Sequence, residues 1–327
     1  MYRKTVILVI SLIVTAAEII IHTDSCADMN KRYTLAVLNM EAYGISRQEA
    51  RTVSDSLRSA ISRVIEEKNV PYILLKPEEM STILKLFEST DTGRISDTDA
   101  VEFGKMLDVE RVALGSVGLA GKTYSLAVRI VDVETSLIVA SADAQHKGLF
   151  DDALGVIIPG AVQTLFKEKP GDSSLIGNIF PWTRDLRGCG LSVLDLDVKG
   201  VSREDGKILS DKLLSTISDL MGNNNDMYIL LERTQMDKIL KLLELHRIFP
   251  GSESSAVEFG KIFPVKNIVV GSVELDGETY IIKVRLMDVE TGKSVRSAEK
   301  QYRGPIDDVL VTVIPGTGKE LFSKNWR

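Results

Sequence analysis

The chain is poor in the residues that build catalytic and metal-binding sites. Its 327 residues include 2 cysteines and 3 histidines, and aromatic residues make up 6%. Two cysteines, Cys26 and Cys189, do not make a disulfide framework. His22, His146 and His246 lie far apart in sequence, and none has a cysteine or a second histidine at ligand spacing. A zinc site or a histidine-based nucleophilic triad therefore has no support. There is no basic block. Lys and Arg number 40 against 46 Asp and Glu, a formal net charge of −6, which gives no electrostatic reason to bind nucleic acid or an anionic membrane surface. Beyond the first 21 residues, no apolar run approaches the roughly 20 residues that a membrane-spanning helix needs.

The N-terminus reads as an export signal. Arg3 and Lys4 precede a continuous run of apolar or small residues from Thr5 to Ala17, which Glu18 interrupts and Ile19 to Ile21 extend weakly. A basic start followed by a short apolar core fits a signal peptide over residues 1–27. An uncleaved anchor is the alternative. Ser25-Cys26-Ala27 is a small-x-small sequence suited to cleavage before Asp28. Cys26 is also a candidate lipidation site, which would give a membrane tether, although Thr23-Asp24-Ser25 fits a lipobox poorly. On these readings the protein is exported in a bacterium, to the periplasm or the inner leaflet of the outer membrane.

The rest of the chain is an internal repeat. Gly44-Ile45-Ser46-Arg47 returns as Gly200-Val201-Ser202-Arg203, and Val101-Glu102-Phe103-Gly104-Lys105 returns as Val257-Glu258-Phe259-Gly260-Lys261. Gly115-Ser116-Val117, Asp132-Val133-Glu134-Thr135 and Ile158-Pro159-Gly160 recur in the same way, always 156 residues later. One offset throughout means that the copies align without gaps. The expected domains are 33–166 and 189–323, joined by a linker over 167–188 that carries Lys-Pro-Gly-Asp-Ser-Ser and a further proline.

Within each copy the periodicity alternates between that of strands and that of helices. Leu35 to Met40 reads as a strand, and Val53, Leu57, Ile61 and Val64 mark one face of a helix. Tyr72 to Leu75 reads as a strand, followed by helices around Met80 to Phe87 and Thr98 to Leu107. Three strands joined by tight turns follow, and then a helix from Asp151 that is expected to break or kink at Pro159. The order β-α-β-α-α-β-β-β-α predicts an α/β (α+β) fold: two tandem domains of two or three layers, each with a mixed sheet of about five strands.

No candidate chemistry survives. Gly316-Thr317-Gly318-Lys319 has Val313 and Glu320 where a phosphate loop needs Gly and Ser or Thr. Glu88 to Asp99 has Thr90 and Thr92 where a calcium loop needs Asp or Asn. Charged residues shared by both copies, among them Asp55, Arg129, Asp132 and Asp151, have structural readings. Arg129 is expected to be a solvated or ion-paired strand position, and nothing in the sequence fixes Glu102 as its partner across the layer. No catalytic, cofactor-binding or metal-ligating residue is assigned, and no cofactor is expected.

Glu232-Arg233-Thr234-Gln235-Met236-Asp237-Lys238-Ile239-Leu240, the Gly-Lys and Gly-Ser-Val segments, and Arg285-Leu286-Met287-Asp288-Val289-Glu290-Thr291-Gly292 resemble the signatures of the CsgG family, the curli secretion-channel family. The first copy departs from them at Lys76-Pro77-Glu78 and at Ser136. Related domains resemble the outer-membrane lipoproteins that activate penicillin-binding proteins, and the N-terminal domain of TolB. The resemblance implies a non-enzymatic envelope protein that acts in assembly, secretion or envelope maintenance through other envelope proteins or through homo-oligomers. It does not imply a pore, because the gapless copies leave no spare chain for membrane hairpins. Two alternatives compete with it: an exported enzyme with its site between the copies, using His246 or Cys189, and a module that binds a small molecule.

Overall fold

In the computed structural model, residues 32–68, 70–76, 80, 100–167, 190–224, 228–232 and 265–322 are described. The leader with Cys26, the linker with Cys189, His246 and most of the stretch expected to form the second helix of each copy lie outside them.

The first sheet contains β1 (Tyr33–Val37), β2 (Glu41–Tyr43), β3 (Tyr72–Leu74), β4 (Arg111–Ala120), β5 (Thr123–Asp132) and β6 (Ile138–Lys147). Their order is β3-β1-β4-β5-β6, with β2 also paired to β4. β1, β2 and β3 run parallel to their neighbours, while β4, β5 and β6 form an antiparallel meander. The second sheet repeats this with β7 (Gly190–Val193), β8 (Asp197–Lys199), β9 (Ile229–Leu231), β10 (Asn267–Asp276), β11 (Thr279–Asp288) and β12 (Ser294–Arg303), in the order β12-β11-β10-β7-β9. The expected mixed α+β domains are therefore present in tandem. Each sheet has six strands, because Glu41–Tyr43 and Asp197–Lys199 add a short segment too brief for sequence periodicity to register.

Helix α1 (Arg47–Lys68) begins with a reciprocal cap. The Ser46 hydroxyl accepts from Glu49 N–H at 3.1 Å, and the Glu49 carboxylate accepts from Ser46 N–H at 2.8 Å. These bonds hold the Glu49 carboxyl below its ordinary range. Helix α4 (Arg203–Asn224) starts similarly: the Ser202 hydroxyl accepts from Asp205 N–H and donates to the Asp205 carboxylate. The repeated Gly-x-Ser-Arg segment is thus a turn and a helix cap. Gly44 and Gly200 enter it at φ +68° and +72°. A Cβ on either would meet the carbonyl oxygen of Leu119 or Leu275 within 3 Å, so both backbone angle and space call for glycine.

The apolar stripe of α1, Val53, Leu57 and Ile61, packs on the inner face of the first sheet against Val117, Leu126, Val128 and Ile130. Ser54 is buried beside them. Its hydroxyl donates to Ala50 O and accepts from Met40 N–H, tying α1 to the loop after β1. Ser210 does the same with Gly206 and Leu196. Helix α2 (Ala100–Met106) lies on the opposite side, where Val101 and Phe103 join a separate core with Val112 and Leu114. Helix α3 (Phe150–Leu165) closes the inner layer, with Asp151 and Asp152 in its first turn, where the helix dipole favours carboxylates.

Pro159 does not break α3, which continues to Leu165. In the second copy, α5 comprises Ile306–Asp308, a π-helical turn at Val309–Val313 and Ile314–Leu321, so that the irregularity falls just before Pro315. A widened turn accommodates the proline ring and its missing N–H within a helix.

Candidate functional site

The residues that distinguish the two copies meet at the junction between them. Helix α4 packs its inner stripe, Leu209, Leu213 and Ile217, on its own sheet. Its other face lies against β4, β5 and β6 of the first copy, on the side of that sheet away from α1. This second burial is visible in the repeat itself. The Asp211 side chain is 3% exposed, whereas its counterpart Asp55 on α1 is 74% exposed. Strand β5 is buried along its whole length, while its counterpart β11 is buried only in part.

A buried charge network holds the junction. Arg129, on the outer face of β5, donates through Nε to Glu232 and lies 3.8 Å from Asp211. The Ser116 hydroxyl donates to the same Asp211 carboxylate. Arg129, Asp211 and Glu232 are each at least 97% buried, so the guanidinium and the two carboxylates meet one another in place of water. Both of these carboxylates come from the other copy, a pairing that the repeat alone does not reveal. A second cluster surrounds Asp143, which pairs with Lys212 and accepts from the Ser215 hydroxyl at 2.7 Å. Ser141 and Ser218 bond at 2.6 Å beside it.

Between these clusters the surfaces interlock. Gly118 faces Ile208 so closely that a Cβ would stand 2.6 Å from its terminal methyl. Ala120, Tyr43 and Ile138 of the first copy join the core built around α4. At one edge, Leu137 pairs with Leu231, and Glu232 N–H donates to Ser136 O at 3.0 Å. At the other, Asp307 at the start of α5 caps the β4–β5 turn. It accepts from the Thr123 hydroxyl at 2.6 Å and from Lys122 N–H at 2.9 Å, with Lys147 Nζ at 4.0 Å.

Burial alone would raise the Asp307 carboxyl pKa. The two donors and the lysine outweigh burial and hold it below its ordinary value of 3.8. A depressed native pKa contributes stability that is complete above the unfolded value and lost as pH falls through the native one. Asp307→Asn is therefore expected to flatten the acid limb of the unfolding curve between about pH 5 and pH 2, as measured by urea denaturation at each pH. An acid limb unchanged from wild type would contradict this.

No protein-family model matches the chain, and no curated protein matches it. Among solved structures it is similar to the LpoB C-terminal domain from Salmonella enterica, with 16% identity, TM-score 0.28, and coverage of 36% of this chain and 84% of that one. It is also similar to lipoprotein GNA1162 from Neisseria meningitidis, with 13% identity, TM-score 0.32, and coverage of 42% and 99%. A third similarity is to the PelC dodecamer from Paraburkholderia phytofirmans, with 15% identity, TM-score 0.26, and coverage of 42% and 87%. None of these three is a curli-channel protein, so the CsgG likeness rests on the residues quoted above.

Cys26, the one candidate modification site, lies outside the described residues, as do Cys189, His22 and His246. His146 sits half-buried on β6 opposite Tyr124. Among the described residues, no group of three or more His, Cys, Asp or Glu side chains is arranged to hold a metal ion. In that same set no helix is long and apolar enough to cross a membrane. Sequence reasoning missed the junction, although a signal was present. Gly118, Ala120 and Ala127 on the first sheet correspond to Glu274, Asp276 and Lys283 on the second, and Ile208 corresponds to Thr52. Small or apolar residues in one copy opposite charged or polar ones in the other mark a surface that is covered only once.

Proposed function

We propose that the protein is a non-enzymatic component of the bacterial cell envelope, exported through residues 1–27 and acting by protein–protein contact from two fused CsgG-like domains, 33–166 and 189–323. The observation that carries this reading is the junction. The space between the copies, where the competing enzyme reading needs its site, is filled along α4 by interlocked side chains and buried ion pairs. Such a junction fixes two binding domains in one orientation, which suits a scaffold. Its partners are other envelope proteins, met in the periplasm or at the inner leaflet of the outer membrane. Assembly, secretion or envelope maintenance is the role that the resemblance favours.

Cys26 decides how the scaffold is held. Full-length protein expressed in a bacterial host and fractionated is expected to sit in the membrane fraction, and Cys26→Ser is expected to move it to the soluble periplasm. A mature chain that starts at Asp28 and is soluble in both forms would end the tethered reading and leave a periplasmic binding protein. Retention of both forms in the cytoplasm would end the envelope role altogether.

A further inference from the structure

The junction is heterologous: the outer face of a helix in one copy sits on the outer face of a sheet in the other. Each copy carries both surfaces, a plug on its long helix and a socket on its sheet. The internal contact uses the socket of the first copy and the plug of the second. Among the described residues, nothing covers the plug on α1 or the socket on β10, β11 and β12.

We infer that these two surfaces bind each other between chains, so that the protein associates head to tail with further copies of itself through α1 of one chain and the second sheet of the next. Heterologous contacts of this kind close into rings or extend into filaments. The inference goes beyond the envelope role, since it holds wherever the chain resides.

The contact chemistry of the junction is retained at the uncovered surfaces. Arg129 and Ser116 bind Asp211 internally, and their counterparts are Arg285, Ser272 and Asp55. Arg285 is half-buried and makes no ion pair among the described residues, and Asp55 holds only an exposed bond to Arg58 one turn along its helix. Glu299 stands where Asp143 receives Ser215, and Ser59 stands where Ser215 donates. Thr279 and Asp151 replace Thr123 and Asp307. Lys122 contributes its backbone N–H to that cap, a group Glu278 also has. Donors therefore still face acceptors across the contact.

Both surfaces are grooved. A groove of about 450 Å³ runs along the uncovered plug, lined by Asp55, Ser59, Arg63 and Ile158. One of about 430 Å³ marks the uncovered socket, lined by Ser272, Lys283, Arg285 and Glu299. Where Gly118 accommodates the long Ile208, the intermolecular contact sets Glu274 against the shorter Thr52, so that bulk gained on the sheet is offset by bulk lost on the helix.

Two exchanges make the contact between chains weaker than the one within. Lys76 stands in the place of Glu232 and so faces Arg285 with like charge, and Ser56 stands in the place of Lys212 and gives up an ion pair. The association is expected to be reversible and to depend on concentration.

The test is sedimentation velocity on the mature full chain from about 1 to about 200 μM, a range that brackets micromolar affinity. Wild type is expected to shift to larger species as concentration rises. Arg285→Glu and Asp55→Arg are each expected to weaken association by about tenfold or more, because each sets like charges against one another. An equimolar mixture of the two variants is expected to recover it. In the mixture, each mutated surface meets one of opposite charge, and each intact surface meets its natural partner. Recovery on mixing is a result that damage to the fold cannot produce. A wild type monomeric throughout, association unaffected by either variant, or a mixture that stays dissociated would each overturn the inference. Localisation of the Cys26→Ser protein is read separately, so failure here leaves the envelope role standing.

Discussion

Arg129→Met is expected to cost about 3–5 kcal/mol, while the same change at the repeated position, Arg285→Met, is expected to cost no more than about 0.5 kcal/mol. Both arginines occupy the same site on the same strand of nearly the same sheet, and only the covering differs. Removing Arg129 takes a cation from beside Asp211 and Glu232, each at least 97% buried. An uncompensated buried charge is among the few single defects that cost several kcal/mol. Arg285 is half-buried and makes no ion pair among the described residues, so its removal strands no partner. Urea denaturation followed by circular dichroism, at a protein concentration low enough to keep the chains apart, gives both values. Replacing Arg129, Asp211 and Glu232 together with apolar residues of similar size is expected to recover most of the loss, because desolvation of the ions then disappears along with their attraction. Equal costs for the two arginines would mean that the junction does not seal Arg129 from water.

Much of the fold was legible in the sequence because it rests on local rules. The Gly-x-Ser-Arg repeat announces a turn and a cap, and Ser46 and Ser202 do cap α1 and α4. Thr135 and Thr291 each donate twice to the aspartate three residues before them, which explains why Asp-Val-Glu-Thr recurs at the same hairpin. Pro159 lies within α3 without ending it, because more than the local effect of proline acts there. Here α3 is clamped against the first sheet by Ile157, Ile158, Ala161 and Leu165, and that packing carries it past the missing hydrogen bond. The junction was harder to read for a different reason. Arg129 and Arg285, or Asp211 and Asp55, are the same residue type at the same repeat position, so no property of either residue reveals that one is sealed and the other is not. What differs is the surroundings, and these change together at positions distant in sequence. The exchange of Gly118 for Glu274 acquires meaning only when set beside the exchange of Ile208 for Thr52.

That pair also makes the second large effect predictable. Gly118→Val is expected to split the molecule thermally into two units that unfold separately, with a loss of about 1–3 kcal/mol from the coupled structure. The strand itself does not require glycine here, because the equivalent position in β10 is Glu274 and that strand is intact. Gly118 is instead fitted to α4, where the new side chain would enter 2.6 Å from the Ile208 methyl and 2.8 Å from Tyr43 O. The backbone carbonyl cannot yield, so the helix must. As α4 withdraws, Asp211 loses Ser116 and Arg129, and Asp143 loses Lys212, so a steric defect of one isopropyl group also opens the ion pairs on either side of it. Calorimetry is expected to show one cooperative transition for wild type and two for Gly118→Val. The double variant Gly118→Val/Ile208→Ala, which returns space to the contact, is expected to restore a single transition. If Gly118→Val merely lowered a single transition, the strain would be absorbed within the first sheet. The copies would then be coupled by their charge network and shared edge and not by the fit of α4 into the sheet.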